Sequence, residues 1–277
     1  MNLSLGFSTC PNDTFMFHAM IKGLVDTEGL SFDVFMGDVE ELNKKLPQTE
    51  LDITKASFFA FATHTQQYKL LNSGSALGFG NGPLLISKHR IYPDELGDAR
   101  IAIPGEHTTA NLLLTVLFPQ AKNKQVYLFS DIEEAVLSNE VDAGLIIHEN
   151  RFTYKERGLK KIADLGEEWE RARNKPIPLG GILIRRTIAE DIQLKVDRIL
   201  RRSITFAFEN PEASRKFVKG YARELKDEVI ENHIRLYVNE FSVSLGDVGK
   251  DAVQVLFDAA TQHGLVKEMN DDIFVKL

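Results

Sequence analysis

The sequence predicts an α/β protein of two lobes, with a central cleft between them and two crossovers of the chain. Three features of the 277 residues support this fold class. Short apolar segments alternate with helical ones from the N-terminus onward, which is typical of a mostly parallel sheet with right-handed crossovers. A second series of alternating strands and helices covers the middle of the chain. The stretch Pro176–Ile184, with two prolines and two glycines, suits a crossover back into the first lobe.

The first block of alternating elements opens with an apolar strand followed by a turn. Strands are predicted at Leu3–Phe7, Leu30–Met36 and Leu51–Thr54, and helices at Phe15–Lys22, Val39–Leu46 and Phe58–Thr63. Within the second strand every other residue is apolar, which is the period of a β-strand. Asp13 or Thr14 is expected to cap the first helix, and Ser57 to begin the third.

The remaining elements form a second block and a helical C-terminus. Strands are predicted at Leu84–Ser87, Arg100–Ile103, Gln125–Phe129 and Ala143–Ile147, with helices at Thr109–Leu117 and Ile132–Asn139, and again from Ala189 onward, at Pro211–Leu225, Asp227–Phe241 and Leu245–His263. We therefore predict a larger lobe of residues 1–87 and 178–277 and a smaller lobe of residues 88–177, which close on a ligand by hinge motion. The C-terminal helices offer a surface for pairing, so a homodimer is an open alternative to a monomer.

Composition argues against several classes of partner. With 33 basic and 40 acidic residues the net charge is −7, which argues against a nucleic-acid-binding or membrane-binding surface. No apolar run approaches the about 18 residues needed to cross a bilayer. The single cysteine, Cys10, excludes an intrachain disulfide and suits a reducing compartment. The uncharged residues before Pro11 do not resemble a secretory signal peptide, so we expect a cytoplasmic protein.

The stretch Asp142–Tyr154 carries the strongest chemical signal. Its apolar run, Ala143–Ile147, is typical of a strand buried on both faces, and His148, Glu149 and Arg151 follow at once. In open α/β sheets, ligands lie beyond the carboxyl ends of the strands. An imidazole placed there suits proton transfer near neutral pH, so His148 is the candidate catalytic residue. The alternative is a partly buried histidine with structural hydrogen bonds only.

Two strand-to-helix junctions are candidate anion-binding segments. Lys55, Ala56 and Ser57 end the third strand, whereas Thr109 and Ala110 begin a helix in the second lobe. Helix N-termini present unpaired N–H groups and the positive end of the helix dipole, which suits a carboxylate. One segment from each lobe would clamp a small-molecule carboxylate substrate. The alternative for both segments is ordinary helix capping.

Other residues are expected at the edge of the cleft because they lie at strand or helix ends. They are Asn12, Asp13, Thr108 and Arg151. Cys10 shares a turn with two of them, but no histidine adjoins it in sequence, so we do not expect a nucleophile. The seven histidines are scattered, and neither CxxC nor HExxH spacing occurs, so no metal site is expected.

Four motifs, taken in order, resemble one enzyme family. They are GFSTCPNDTFMF at Gly6–Phe17, DITKASFFA at Asp52–Ala60, GEHTTANLLL at Gly105–Leu114 and IIHENRFTY at Ile146–Tyr154. The family is 1,4-dihydroxy-6-naphthoate synthase of the futalosine route to menaquinone. The resemblance extends to Pro178–Arg186 and departs at Thr9 and Asn150, where the family pattern is expected to have Pro and Gly.

The resemblance implies a periplasmic-binding-protein-like type II fold used as a cytoplasmic enzyme that needs no cofactor. The family is expected to split cyclic dehypoxanthinyl futalosine into 1,4-dihydroxy-6-naphthoate and a small sugar-derived fragment. By position, His148 matches the family's proton-accepting histidine. Lys55–Ser57 and Thr109–Ala110 match its substrate-binding segments.

Two other functions stay open on the sequence. The first is a chorismate-dehydratase-like enzyme of the same fold and pathway, over which the IHENRFTY motif favours the synthase. The second is a non-catalytic solute-binding protein or ligand-sensing domain. The sequence does not indicate which group orients His148, because adjacent strand residues face opposite ways.

Overall fold

The structure is a computed structural model that describes residues 1–222, 226–267 and 269–276. Its strands are β1 (Asn2–Phe7), β2 (Ser31–Met36), β3 (Ile53–Ser57), β4 (Tyr68–Leu70), β5 (Ala76–Gly78), β6 (Leu84–Ser87), β7 (Ile101–Ile103), β8 (Lys124–Val126), β9 (Ala143–Ile146), β10 (Lys160–Asp164) and β11 (Ile177–Arg185). Its helices are α1 (Pro11–Ile21), α2 (Val39–Lys45), α3 (Phe58–Ala62), α4 (Thr109–Leu117), α5 (Ile132–Leu137), α6 (Asn150–Thr153), α7 (Leu165–Arg173), α8 (Glu190–Glu209), α9 (Pro211–Tyr221), α10 (Asp227–Tyr237), α11 (Glu240–Val243) and α12 (Gly246–Gln262), with a short 3₁₀ helix at Pro93–Gly97.

The strands form a first sheet in the order β2-β1-β3-β11-β4, with β5 also paired to β11, and a second sheet in the order β10-β6-β9-β7-β8. The predicted α/β class is therefore confirmed. The prediction of mostly parallel sheets is wrong. β1 pairs in parallel with β2 and β3, and β7 with β8 and β9, but β11 is antiparallel to β3, β4 and β5, and β6 is antiparallel to β9 and β10. The antiparallel pairs occur where β6 and β11 carry the chain between the sheets, which places strands of opposite direction side by side.

The chain changes sheet between β5 and β6 and returns at β11. β6 thus belongs to the second sheet, although the predicted larger lobe extends to residue 87. The return agrees with the crossover expected at Pro176–Ile184, because β11 begins at Ile177. Leu165 N–H donates to Pro83 O at 2.9 Å, so the outgoing and returning segments contact each other.

The first helix begins four residues earlier than predicted. α1 starts at Pro11, with Cys10 as its N-cap, and not at Phe15 behind Asp13 or Thr14. Proline suits the first helical position because its fixed φ is already helical and its missing N–H is not needed there. Asn12 and Asp13 therefore lie in the first turn of α1, where both are buried.

Other boundaries shift without changing the order of elements. β3 covers Ile53–Ser57, so Lys55 and Ser57 lie inside the strand, and β8 ends at Val126. The helix predicted over Asp227–Phe241 is divided into α10 and α11, because Asn239 caps a new helix by accepting a hydrogen bond from Phe241 N–H at 2.9 Å. The predicted end of the preceding helix, residues 223–225, lies outside the described residues. None of the helices in the described ranges is long and apolar enough to cross a membrane.

The first sheet is fixed from one side by α1 and α8. Phe7 of β1 stacks on Phe17 of α1 with ring centroids 4.5 Å apart. The apolar stripe of α8 completes this core with Val196, Ile199, Leu200 and Ile204. The carboxyl ends of β1 and β3 are thereby held at the face that meets the second sheet.

A close backbone contact between Gly82 and Gly166 gives a test of the packing at the crossovers. A Cβ atom on Gly82 would lie 2.3 Å from both Cα and N of Gly166. We expect Gly82→Ala to lower the free energy of unfolding by about 1–3 kcal/mol, because overpacking forces the backbone apart. Urea denaturation followed by circular dichroism measures this. Gly97→Ala is the matched control, since a Cβ there meets nothing within 4 Å; equal midpoints for both variants would contradict the packing argument.

Candidate active site

A cavity that is open to solvent lies at the carboxyl ends of β1, β3, β7 and β9. This is the position at which α/β sheets bind ligands. Of the residues predicted from sequence, those that line it are Asn12, Asp13, Lys55, Ser57, Thr108, Thr109, Ala110 and His148. Polar residues that line it and were missed by the sequence are Ser8, Asn81, His233 and Tyr237.

Two predicted residues do not line this cavity. Ala56 lies between Lys55 and Ser57 in β3, so its side chain faces the opposite side and packs in the hydrophobic core. Arg151 lies on α6, where Nη1 donates to Gly82 O at 2.6 Å and Nη2 lies 3.4 Å from Asp164 Oδ2. Arg151 therefore anchors the turn after β9 to the crossover, and it reaches the cavity only through its interaction with Tyr237, which lines it.

A buried ion pair joins α1 to β3 at the floor of the cavity. Lys55 Nζ lies 3.0 Å from Asp13 Oδ1, and the two side chains are 7% and 1% exposed. Asp13 also accepts hydrogen bonds from Ser8 N–H and Ser8 Oγ, at 3.2 and 2.7 Å, and from Asn12 Nδ2 at 2.8 Å. Hydrogen bonds and the ion pair thus occupy both oxygens of the Asp13 carboxylate, which compensates the charge of Lys55 inside the protein.

The hydroxyl groups expected to hold the substrate are engaged with protein groups. Ser57 Oγ accepts from Asn43 Nδ2 at 3.1 Å, while Ser57 N–H donates to Asn43 Oδ1 at 2.9 Å. Thr109 Oγ1 donates to Leu179 O at 2.7 Å and accepts from Phe59 N–H at 3.2 Å, which joins α4 to the first sheet. These bonds fix the start of α4, where Thr109 and Ala110 line the cavity and where the first N–H groups of a helix have no partner within the helix.

The candidate base His148 lies in a turn between β9 and α6, a helix that the sequence analysis missed. Its φ of 59° is in the left-handed region, which is uncommon for a residue other than glycine. Strained backbone of this kind persists where surrounding structure fixes it and is frequent at functional sites. The imidazole packs edge-on against Phe129, with ring centroids 4.9 Å apart.

The Cys10 thiol also contacts the His148 imidazole, with Sγ 3.4 Å from Nδ1. Burial, and then the charge of Glu149, raise the pKa of the Cys10 thiol well above its usual range. The thiol is therefore neutral at physiological pH, which agrees with the expectation that Cys10 is not a nucleophile. The two residues lie 138 positions apart, so no local sequence signal links them.

Donor atoms of Cys10, His148 and Glu149 lie within 4.8 Å of one another. Thiolate, imidazole and carboxylate are ligand types of zinc. The sequence analysis expected no metal site because the spacing of ligand residues along the chain matches no metal motif. Such spacing does not detect this group, because Cys10 follows β1 whereas His148 and Glu149 follow β9.

A second histidine, His233 of α10, lies beside the first. Its ring is nearly parallel to that of His148, with centroids 6.1 Å apart and an angle of 9° between the planes. Burial, followed by the charges of His148 and Lys55, lowers the pKa of His233 well below its usual range. The sequence analysis missed His233, although one signal could have indicated it: His233 interrupts the apolar face of α10 formed by Ile230, Ile234 and Tyr237. Burial raises the pKa of Tyr237, one turn further on, to about 12.

Comparison with known proteins identifies the family to which this chain is similar. The model of a family described as menaquinone biosynthesis matches residues 3–262. The chain is 41% identical over 273 residues to a protein of Thermus thermophilus named 1,4-dihydroxy-6-naphtoate synthase, covering 99% of both chains. It is 38% identical over 275 residues to a protein of the same name from Streptomyces coelicolor, covering 98% of this chain and 96% of the relative.

Solved structures give the same result for the fold. A crystal structure of an Archaeoglobus fulgidus protein superposes with a TM-score of 0.91 at 35% identity, covering 96% of this chain and 98% of the other. A Candida albicans protein described as having the generic periplasmic binding protein fold superposes with a TM-score of 0.72 at 15% identity, covering 100% and 98%. The latter similarity concerns the fold alone.

The fold and the cavity between its sheets define a periplasmic-binding-protein-like protein with titratable groups in its cleft. The chain belongs to the menaquinone biosynthesis family. The assignment made from its four sequence motifs is thereby confirmed.

Because the Asp13–Lys55 pair is buried, removal of Asp13 should lower the free energy of unfolding far more than removal of an exposed, paired acidic residue. Asp13→Ala leaves Lys55 charged and unpaired in the interior, and we expect it to lower the free energy of unfolding by about 3–5 kcal/mol. Glu50→Ala removes a pair with Lys45 in which Glu50 is 47% exposed, and such pairs contribute about 0–1 kcal/mol. Urea denaturation of both variants measures the difference. Similar urea midpoints for the two variants would show that Lys55 forms another ion pair or becomes hydrated when Asp13 is absent.

Proposed function

We propose that this chain converts cyclic dehypoxanthinyl futalosine to 1,4-dihydroxy-6-naphthoate, as a carbon–carbon lyase of menaquinone biosynthesis. The names of its two full-length relatives support this activity. The structural observation that supports it most directly is the position of His148 on a cavity that also carries Lys55 and the start of α4. A base and a site for a carboxylate are the two elements that the reaction needs.

His148 is proposed to remove a proton from the substrate through Nε2. Nδ1 is the atom that faces Cys10 Sγ, and for Nε2 to carry a lone pair, Nδ1 must carry the hydrogen in the neutral ring. The thiol is neutral, so its sulfur serves as a weak acceptor for Nδ1–H. Cys10 would thus fix both the orientation and the tautomer of the base, an assignment that the sequence left open.

The substrate carboxylate is proposed to bind on the opposite wall of the cavity. The N–H groups at the start of α4, near Thr109 and Ala110, carry the positive end of a helix of nine residues. Lys55, whose charge is compensated by Asp13, lies on the same cavity and would offer a further N–H donor from the first sheet. Because formation of the aromatic naphthalene supplies driving force, positioning and one base suffice, and no cofactor enters the proposed step.

No comparable observation favours a chorismate-dehydratase-like enzyme or a non-catalytic solute-binding or ligand-sensing protein. Relatives named for synthase activity cover the full chain, whereas the Candida albicans protein with the generic periplasmic binding protein fold is only 15% identical, so it supports the fold alone. A cytoplasmic location is part of the proposal and is supported by the single buried cysteine, which suits a reducing compartment.

The first test is turnover by the purified protein, followed by mass spectrometry, with the cyclic futalosine derivative and chorismate offered separately. We expect dihydroxynaphthoate without added cofactor. His148→Ala is expected to lower kcat by about 10²–10⁴-fold, because it removes the base. His89→Ala, which alters an exposed histidine away from the cavity, should leave the rate unchanged. Loss of water from chorismate, or a fully active His148→Ala variant, would contradict the assignment.

A second test concerns the orientation of the base. We expect Cys10→Ala to lower kcat by about tenfold with little change in KM, because a freely rotating imidazole spends less time in the productive geometry. Cys10→Ser restores a polar atom beside Nδ1 and should recover part of the loss. The pH profile of kcat/KM should shift in the alanine variant. A change in thermal stability alone, with unchanged kinetics, would assign Cys10 to packing.

A further inference from the structure

His233 is a buried titratable group at the cavity that the proposed mechanism does not use. Its side chain is 1% exposed, it lines the cavity, and its ring lies parallel to that of the proposed base. A polar ring so fully removed from water normally has partners for both nitrogens. Only one of the two is satisfied by the described residues.

A chain of hydrogen bonds fixes which nitrogen carries the hydrogen. Asn12 Nδ2 donates to the Asp13 carboxylate, so Asn12 Oδ1 is the atom that faces His233 Nε2, at 3.0 Å. An amide oxygen can only accept, and His233 Nε2 must therefore carry the hydrogen. Lys55 fixes the orientation of Asp13 at the other end. Neutral His233 thus has its lone pair on Nδ1.

His233 Nδ1 has no hydrogen-bond partner among the described residues. The charged atom recorded near it is Glu149 Oε2, at 3.9 Å, which is beyond hydrogen-bonding distance. Burial above all, and then the charges of His148 and Lys55, disfavour protonation of the ring and lower its pKa. A neutral nitrogen in this position accepts a hydrogen bond and does not hold a proton, so its role differs from that of His148.

We propose that His233 Nδ1 accepts a hydrogen bond from a hydroxyl group of the sugar-derived part of the substrate and thereby positions it against His148. This inference rests on the proposed function. A buried lone pair attracts an O–H donor and repels a carboxylate, whereas the N–H groups at the start of α4 attract the carboxylate. The cavity therefore has one wall for each end of the substrate, and the scissile part lies between them beside His148.

Two substitutions at this position separate the two nitrogens. His233→Gln extends an amide toward Asn12 and keeps a donor at the Nε2 position, but it has no acceptor at Nδ1. His233→Asn places its oxygen near the Nδ1 position and loses the bond to Asn12. We expect His233→Gln to raise KM for the cyclic futalosine derivative by about tenfold or more, and His233→Asn to stay within about threefold of the unaltered protein despite a lower thermal stability.

The controls distinguish the possible failures. His18, a second buried histidine bonded to Ser214 through Nδ1 at 3.0 Å, lies outside the cavity, and His18→Gln should change stability without changing KM. If the unaltered protein forms dihydroxynaphthoate but His233→Gln keeps its KM while His233→Asn loses activity, His233 only supports Asn12 and the inference is wrong. Equal loss of kcat in both variants with unchanged KM would also overturn it. If the unaltered protein shows no turnover, the proposed function falls first, and this inference with it.

A measurement without any substitution covers the case in which the variants do not fold. A substrate analogue that lacks the sugar-derived hydroxyl groups, offered to the unaltered protein, should show a KM raised by about tenfold or more. An analogue that binds as well as the complete substrate would overturn the inference.

Discussion

The buried pair of Asp13 and Lys55 is the interaction on which the rest of the site depends. In the protein interior each charge is costly unless the other is present with good geometry, so α1 and β3 are held together at a fixed distance. Asp13 also binds the backbone and hydroxyl of Ser8, the residue after β1. One carboxylate therefore joins a strand end, a helix start and the neighbouring strand, and through Asn12 it reaches His233 on α10.

One turn of the second lobe places the proposed base beside this ion pair. His148 follows β9 in a left-handed conformation, and Arg151, three residues on, ties the turn to Gly82 O and Asp164. Gly82 is also where the outgoing chain touches Gly166 of the returning segment. The position of the proposed base therefore depends on the crossovers, and hinge motion of the lobes would move His148 relative to Cys10 and His233.

The fold by itself supplies a cleft and no reaction, because unrelated functions share such frameworks. The similarity at 15% identity to a protein with the generic periplasmic binding protein fold is of this kind. What distinguishes this cleft is its set of titratable groups with different environments. The Cys10 thiol has a raised pKa, the His233 imidazole has a lowered one, and both lie against His148. Neutral groups on both sides of one imidazole suit a site that moves a proton and then orients a neutral part of the ligand.

The sequence by itself determined the order of the elements that it predicted, the end of β9 at which His148 lies, and the positions of Lys55, Ser57 and Thr109 at the cleft. These features follow from local periodicity and from the polarity change at a strand end, which a single segment records. The sequence missed β4, β5, β10, α6 and α7. Only the tertiary structure decided that Cys10 contacts His148, that His233 joins them, that Ala56 faces the core and that Arg151 anchors a turn. It also decided the antiparallel pairs at β6 and β11. The physical reason is that such contacts join segments far apart in the chain, and their geometry is set by packing and buried charge, not by the period of any one segment.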